Sequence, residues 1–331
     1  MTFPVQILKS LLLIFPLWML VGAVELGATP QQGEGSSSEN DLPDGFDGDR
    51  AYHVLRWACS LGPRISGSPA MQQQQDTLEE FFKKMGGKVT RQSFNYPHPV
   101  HRTPVELTNL IVEWHPERQD RILIACHYDT RPYPDRDKRN PRGRFLGAND
   151  GASGVGLLFE LGRHVKELKG SIGIDFVFFD AEELVFAKGQ PLFIGSTYFA
   201  RDYVNNPPGH IYRRGVLVDM IGDAELQIYR EKNSLKHARE LTLEIWDAAE
   251  ELDVDAFIQR ARHSIRDDHI PLNEIAKIPT CNIIDFDYPN PRSQNAYWHT
   301  TQDTEDKCSP QSLEKVGRVL LHWLKKMETE R

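Results

Sequence analysis

The chain has 331 residues, with 39 Lys and Arg against 47 Asp and Glu, for a formal net charge of −8. That balance, with no basic block, excludes a nucleic acid partner, because phosphate binding needs clustered Lys and Arg. The four cysteines, Cys59, Cys126, Cys281 and Cys308, are far apart with no CxxC pair, which excludes a zinc site built from cysteine.

Lys9 precedes an apolar run from Leu11 to Val24 that ends in the small-residue stretch Val21-Gly22-Ala23. This is the pattern of a secretory signal, and the run is shorter than the ~20 residues that span a bilayer. Residues 1–23 therefore read as a signal peptide and the protein as exported, without stable membrane insertion. An uncleaved N-terminal membrane anchor is the alternative. Residues 24–48 are rich in Gly, Ser, Glu and Asp, with Leu26, Leu42 and Phe46 as their large apolar residues. They bury too little surface to offset their ordering entropy and read as a disordered linker. Residues 49–331 are long enough for one α/β domain.

Within that domain Asp49–Leu61 is amphipathic, and Met71–Met85 reads as a helix stopped by Gly86-Gly87. Val89–Phe94 and Val105–Trp114 carry β-branched residues and read as strands. Arg121–Ala125 is a short apolar run expected to be a central strand. Arg131–Arg144, dense in Pro and charge, is a loop. Gly151–Leu168 reads as a helix with Leu157, Leu158, Leu161 and Val165 on one stripe. Ile174–Phe179 is the strongest buried-strand signal. Gly189–Gly195 is a loop, Gly215–Ile221 a strand, Leu235–Leu252 a helix and Ile278–Phe286 a strand. Ser309 is an N-cap with Pro310 at the first helical position, and the last helix carries an apolar stripe that packs on the core. Alternating strands and helices predict a mixed, mostly parallel central sheet with helices on both faces. Cys126 and Cys281 sit in strand-like runs and read as buried free thiols. An exported chain could pair some of the four cysteines, and the sequence leaves that open.

Chemistry-bearing residues gather at the ends of these elements. They are His127 in ACHYDT, Asp150 in GANDGAS, Glu182 and Glu183 after FVFFDA, Asp219 in VLVDMIG, Asp267 and Asp268 in DDHIP, and His299 in YWHT. In an open α/β sheet the carboxyl ends of the strands line the ligand crevice. Carboxylates and imidazoles converging there suit zinc, which takes three protein ligands in a catalytic site and keeps a position open. Taken singly each has a plainer reading. Asp150 could be a helix N-cap, the Glu pair two solvated acids, Asp219 a buried paired carboxylate, DDH a turn and His299 a surface residue. Their conjunction favours a metal. A chain leaving a strand at Glu182-Glu183 would turn one carboxylate to the metal and the other to substrate as a base. There is no HExxH, no GxGxxG and no P-loop, and Gly151-Ala152-Ser153-Gly154 is not the G-x-S-x-G elbow.

The series HYDT, GANDGASGV, FFDAEE, VDMIG and a late His resembles the zinc aminopeptidase superfamily of exported metallopeptidases. DDHIP, WHT behind a Pro-rich loop, and the long stretch LVFAKGQPLFIGS resemble, within it, the secretory glutaminyl cyclases. The resemblance covers roughly Arg50 to the C-terminus. It implies that Asp150, Glu183 and His299 hold one zinc and that Glu182 shuttles protons. It also implies that Asp219 and Asp267 hold the shuttle and the substrate amine, and that Trp298 walls the pocket. In the two-metal peptidases, positions such as His127 and Asp219 ligate a second ion. Near Lys188 the cyclases carry a pocket tryptophan that this sequence lacks, so the resemblance does not carry substrate preference over. The resemblance thus implies a zinc enzyme acting on peptide or protein N-termini, expected as a monomer. The leading reading is cyclisation of N-terminal glutamine to pyroglutamate with loss of ammonia. An exported zinc aminopeptidase, with two metals, is the alternative. A non-catalytic binding module on the same fold is a third.

Overall fold

A computed structural model describes residues 45–288 and 296–329. The predicted signal peptide, nearly all of the linker, and the Pro/Asn/Ser-rich stretch before Trp298 lie outside the described residues. Among the described residues, no helix is long and apolar enough to cross a membrane.

Strict alternation along the central strands builds two cores. In β3 (Asp120–His127), Ile122, Ile124 and Cys126 face one side of the sheet while Leu123 and Ala125 face the other. In β4 (Gly173–Phe179), Ile174, Phe176 and Phe178 join the first core and Val177 and Phe179 the second. In β5 (Ile211–Asp219), Val216 and Val218 oppose Leu217 in the same way. Successive side chains of a strand point to opposite faces, and a strand covered on both faces is apolar throughout. That is why these runs read as continuous hydrophobics rather than as alternating ones.

Six strands form the main sheet in the order β1-β2-β4-β3-β5-β8, with β1 (Lys88–Pro97), β2 (Pro104–Trp114) and β8 (Thr280–Ile284) completing it. Strands β4, β3, β5 and β8 are mutually parallel, whereas β2 runs antiparallel to both β1 and β4. The predicted mixed, mostly parallel sheet is therefore present. The larger core is covered by helices α1 (Gly48–Ser60), α3 (Ala152–Val165) and, further along the chain, residues 239–251 and 310–329. The smaller core is covered by α4 (Ile194–Asn205) and α7 (His269–Glu274). Helix α2 (Pro69–Lys84) starts at Ser68, whose side chain accepts the Met71 N–H, and buries Leu78 and Phe82. Truncating a ring such as Phe82 to Ala costs ~3–5 kcal/mol in a packed core.

Four departures from the sequence-based expectations have physical causes. The helix expected over Leu235–Leu252 is two helices, α5 (Lys232–His237) and α6 (Arg239–Glu251), hinged at Ala238 with φ −142° and ψ 48°. Alanine is the best helix former, so only packing could impose that break. The strand expected to reach Ile221 ends at Asp219, because Met220 takes φ 49°. The strand expected over Ile278–Phe286 is confined to Thr280–Ile284; Asp285 then turns out of the sheet to accept the N–H groups of Gln227 and Asp287. Helix α4 starts without a side-chain cap bond, and α7 and the two-stranded parallel sheet of β6 (Ile228–Glu231) and β7 (Phe257–Arg262) are only 4 to 6 residues long, too short to read from the sequence. The last helix, α8 (Pro310–Thr329), is where Ser309-Pro310 predicts it, and the Ser309 Oγ accepts the Ser312 N–H. All four cysteines are free and buried, as expected for Cys126 and Cys281.

Candidate active site

Because β3, β4, β5 and β8 are parallel, their C-terminal ends share one edge. His127 ends β3 opposite Phe179 of β4, Asp219 ends β5 opposite Ile284 of β8, and Glu182-Glu183 follow β4 by a short turn. Side chains 92 residues apart in sequence thus meet: the His127 Nε2 stands 3.2 Å from the Asp219 Oδ1 and 3.1 Å from the Asp150 Oδ1. Met220 and Ala181, which flank Asp219 and Glu182, and His299 itself all have positive φ, between 49° and 57°. Non-glycine residues rarely adopt this region, and such strain collects at functional sites.

Asp150 is delivered by the turn into α3. The Asn149 and Asp150 N–H groups donate to the two carboxylate oxygens of Asp303, at 2.8 and 3.1 Å. The Asn149 side chain in turn accepts the Gly222 N–H at 2.6 Å, and the Ser153 hydroxyl accepts the Ile221 N–H at 3.2 Å. GANDGAS and VDMIG are therefore stitched together, which fixes Asp150 against Asp219. Asp150 precedes the cap and does not cap the helix: the N-cap is Gly151, with no side-chain cap bond. Gly151 has φ 98°, and a Cβ there would stand 2.9 Å from the Asp129 carbonyl and 3.1 Å from the His127 ring. Only glycine meets both demands. The Gly151→Ala protein is expected to lose more than ~1 kcal/mol of stability, read as a fall in urea midpoint at unchanged slope. A midpoint equal to that of the parent would refute this.

The two glutamates diverge. Their N–H groups donate to the two oxygens of the buried Asp129, Glu182 at 3.2 Å and Glu183 at 3.0 Å. Glu183 is buried, paired with the Arg131 guanidinium and 3.4 Å from the His299 Nε2. Burial opposes its ionisation, but Arg131 and then His299 outweigh that and hold the carboxyl well below the usual range. Glu182 borders the cleft. Burial first, then the neighbouring Glu183 and the Asp267-Asp268 pair, push its carboxyl well up. Two adjacent carboxylates driven in opposite directions suit one to a permanently charged role and the other to carrying a proton.

His299 is oriented by Asp135, whose Oδ1 accepts from the Nδ1 at 3.0 Å and forms an ion pair with the Arg131 Nε at 3.1 Å. That bond turns the Nε2 towards Asp150, 3.5 Å away, and Glu183. Asp267 begins the α7 turn; its carboxylate accepts the Asn282 amide at 2.7 Å and the Asp268 N–H at 2.6 Å. Asp268 is turned away from the cleft, fully buried and bonded by the Ser196 hydroxyl. Burial, then Asp267 and Asp150, raise the Asp219 carboxyl to about 7, against the pull of His127.

These groups line one cleft of ≈ 360 Å³. Asp150, Glu182, Glu183, Asp219, Asp267 and His299 form its acidic end, and Trp298, Phe286, Ile284 and Phe193 its apolar walls. Trp298 lies 4.0 Å from the His299 ring and 5.0 Å from Phe286, ring centre to ring centre. Lys188 is exposed and does not line the cleft, whereas Leu192 and Phe193 from the same stretch do. His127 lies beneath the cleft floor, among Asp129, Asp150 and Asp219.

The donor set fits a divalent cation. Asp150, Glu183 and His299 offer ligand atoms within 4.8 Å of one another, and so do His127, Asp150 and Asp219. The Asp150 Oδ2 and Glu183 Oε2 are buried without a hydrogen-bond partner among the described residues. Buried carboxylate oxygens left so are costly unless a cation satisfies them, and oxygen with imidazole nitrogen is a zinc-type set. The positioning residues Asp129, Asp135, Asp303 and Asn282 were not singled out from the sequence. Asp129 alone had a local sign, its place in HYDT beside His127.

The chain is similar to known proteins in both sequence and fold. The model of Peptidase family M28 matches residues 109–324, which include both donor groups. A glutaminyl-peptide cyclotransferase-like protein of Bos taurus is 24% identical over 304 residues, covering 81% of this chain and 74% of that protein. Glutaminyl cyclase of Fimbriiglobus ruber superposes with a TM-score of 0.80 at 35% identity, over 90% of this chain and 99% of that one. A Zn-dependent exopeptidase of Parabacteroides distasonis does so with 0.79 at 30% identity, over 87% and 100%. With the family model spanning most of the described domain and the same fold shared by cyclases and exopeptidases, the chain belongs to Peptidase family M28.

Proposed function

We propose that the protein is a zinc-dependent glutaminyl-peptide cyclotransferase, converting N-terminal glutamine to pyroglutamate with release of ammonia. The observation that carries this reading is the Glu182 carboxylate. It borders the cleft with no hydrogen-bond partner among the described residues, beside Asp219 and Asp267. Likeness to glutaminyl cyclases in both sequence and structure supports it.

In this mechanism Asp150, Glu183 and His299 hold the zinc. Bound there, the ion supplies Lewis-acid polarisation of the glutamine γ-carbonyl. Asp267, fixed by Asn282, and Asp219 hold the substrate amine. Glu182 accepts a proton from that amine, whose nitrogen forms the new bond to the γ-carbon. As the C–N bond to the side-chain nitrogen breaks, Glu182 returns the proton and ammonia leaves. Trp298, Phe286 and Phe193 enclose the side chain, so amine and amide are held in one orientation.

A second reading is an aminopeptidase, in which Glu182 activates water against the peptide bond. The second donor group, His127 with Asp150 and Asp219, favours it, as does the likeness to a Zn-dependent exopeptidase. It would need a second divalent ion, which His127 and Asp219 would hold together with Asp150. One experiment separates the two: zinc-loaded protein with a Gln-initiated peptide and with leucine amide, reading ammonia and free leucine separately. Ammonia from the Gln peptide with one zinc per chain is the expected result. Two zincs, both needed to release leucine, and no ammonia from the Gln peptide would establish the peptidase.

We also infer export, from the short apolar run at Leu11–Val24 and its small-residue end. Secreted material is expected to begin between about Val24 and Gly33 on N-terminal sequencing. Intact Met1 on soluble cytoplasmic protein would disprove it.

A further inference from the structure

The cleft is polarised along its length. Its deep end gathers Asp150, Glu182, Glu183, Asp219 and Asp267, whereas two exposed arginines, Arg136 and Arg266, border it nearer the surface. Neither makes an ion pair or a side-chain hydrogen bond among the described residues. The carboxylate nearest Arg136 in sequence, Asp135, is already engaged by the His299 Nδ1 at 3.0 Å and the Arg131 Nε at 3.1 Å. Asp287, next in sequence to the cleft-lining Phe286, is engaged by Arg262 at 2.8 Å and His263 at 3.2 Å. Arg136 and Arg266 therefore keep their charge available to a ligand.

Both are also held in register with the reacting centre. The Arg136 guanidinium lies 3.9 Å over the Trp298 ring, and its backbone N–H donates to the His299 carbonyl at 3.1 Å. Stacking on an aromatic face pre-organises a guanidinium and leaves its edge free for a carboxylate. Arg266 directly precedes Asp267, and the buried Ile265 before it donates its N–H to Glu231 at 2.8 Å, which pins the segment. A peptide whose N-terminal amine sits at Asp267 and Asp219 leads its next residue outward, at ~3.3–3.6 Å per residue, along the cleft that these two side chains also line.

We propose that Arg136 and Arg266 form a carboxylate-recognising rim that selects peptides with a negative charge immediately after the N-terminal glutamine. This rests on the cyclase reading and names its substrate class. The charge has two sources, an acidic second side chain or the free α-carboxylate of a dipeptide. A basic second residue is disfavoured by the same charges.

The test is ammonia release from Gln-Glu-amide against Gln-Gln-amide, and from Gln-Ala against Gln-Ala-amide. The parent and the Arg136→Gln, Arg266→Gln and doubly substituted proteins are compared. In the parent, the charged member of at least one pair is expected to have a kcat/KM about 10-fold or more higher, carried by KM, because charge-assisted hydrogen bonds are the strong ones. The preference shrinks as salt is raised, since the rim is exposed, and falls to about 1 in the double variant. Preference confined to the first pair assigns the contact to a side chain, and to the second pair, to the α-carboxylate. Equal kcat/KM within both pairs in the parent, with ammonia released throughout, overturns the rim and leaves the cyclase reading standing. A preference that survives intact in the double variant also overturns it. No ammonia from any peptide overturns the rim together with the reading beneath it.

Discussion

Glu182→Gln is expected to lower turnover by ~10²-fold or more while the protein still binds its metal. The substitution keeps size and shape and removes the proton carrier. The Glu182 side chain makes no hydrogen bond among the described residues and only its N–H is used, by Asp129, so the fold has no stake in the carboxylate. The adjacent Glu183 is the opposite case: buried, paired with Arg131, and facing His299. Parallel measurement of kcat and of bound zinc on the Glu182→Gln protein checks this. If zinc disappears along with activity, Glu182 is a ligand and the division of labour between the two glutamates is wrong.

Removing the metal should abolish activity, and restoring zinc should recover it. His299 is the sharpest probe. It is the one imidazole in the donor set of Asp150, Glu183 and His299, and its Nε2 is aimed by the Asp135 carboxylate on the other nitrogen. Such outer partners fix the ring and raise its basicity as a ligand. His299→Ala leaves Asp150 beside His127 and Glu183 beside Arg131 with one donor fewer for the metal, so metal affinity and turnover fall together. Because a ligand that binds only the native state stabilises it by ~4 kcal/mol at a thousand times its Kd, zinc should also raise the melting temperature of the parent, and raise that of the variant less. Full activity in a metal-free His299→Ala protein would remove the basis for metal catalysis here.

Local chemistry made part of this legible without coordinates. Apolar runs such as Ile174–Phe179 announce buried strands because both faces of a central parallel strand are covered. Acidic and imidazole side chains just beyond such runs announce a site, because parallel strands end on one edge. Glu182, Glu183 and Asp219 lie just at or beyond strands that end there, and Asp150, Asp267 and His299 reach the same cleft from other turns. The Gly-rich turn at 147–154 carries its own reason as well, since Gly151 must take a positive φ against His127.

The remainder is long-range and leaves no period or composition to read. Asp303 holds the Asp150 turn from 153 residues away, Asp135 aims His299 across 164, and Asn282 fixes Asp267 from the neighbouring strand. Each is a single polar residue whose partner is chosen by the order in which the strands pair. The left-handed backbone at Ala181, Met220 and His299 and the break at Ala238 run against the intrinsic preferences of those residues. The sequence by itself determined an α/β sheet with a donor-rich edge, because alternation and strand-end chemistry are local. Tertiary structure decided which carboxylate is buried beside Arg131 and which is left free in the cleft, because that difference depends on neighbours brought together only by folding.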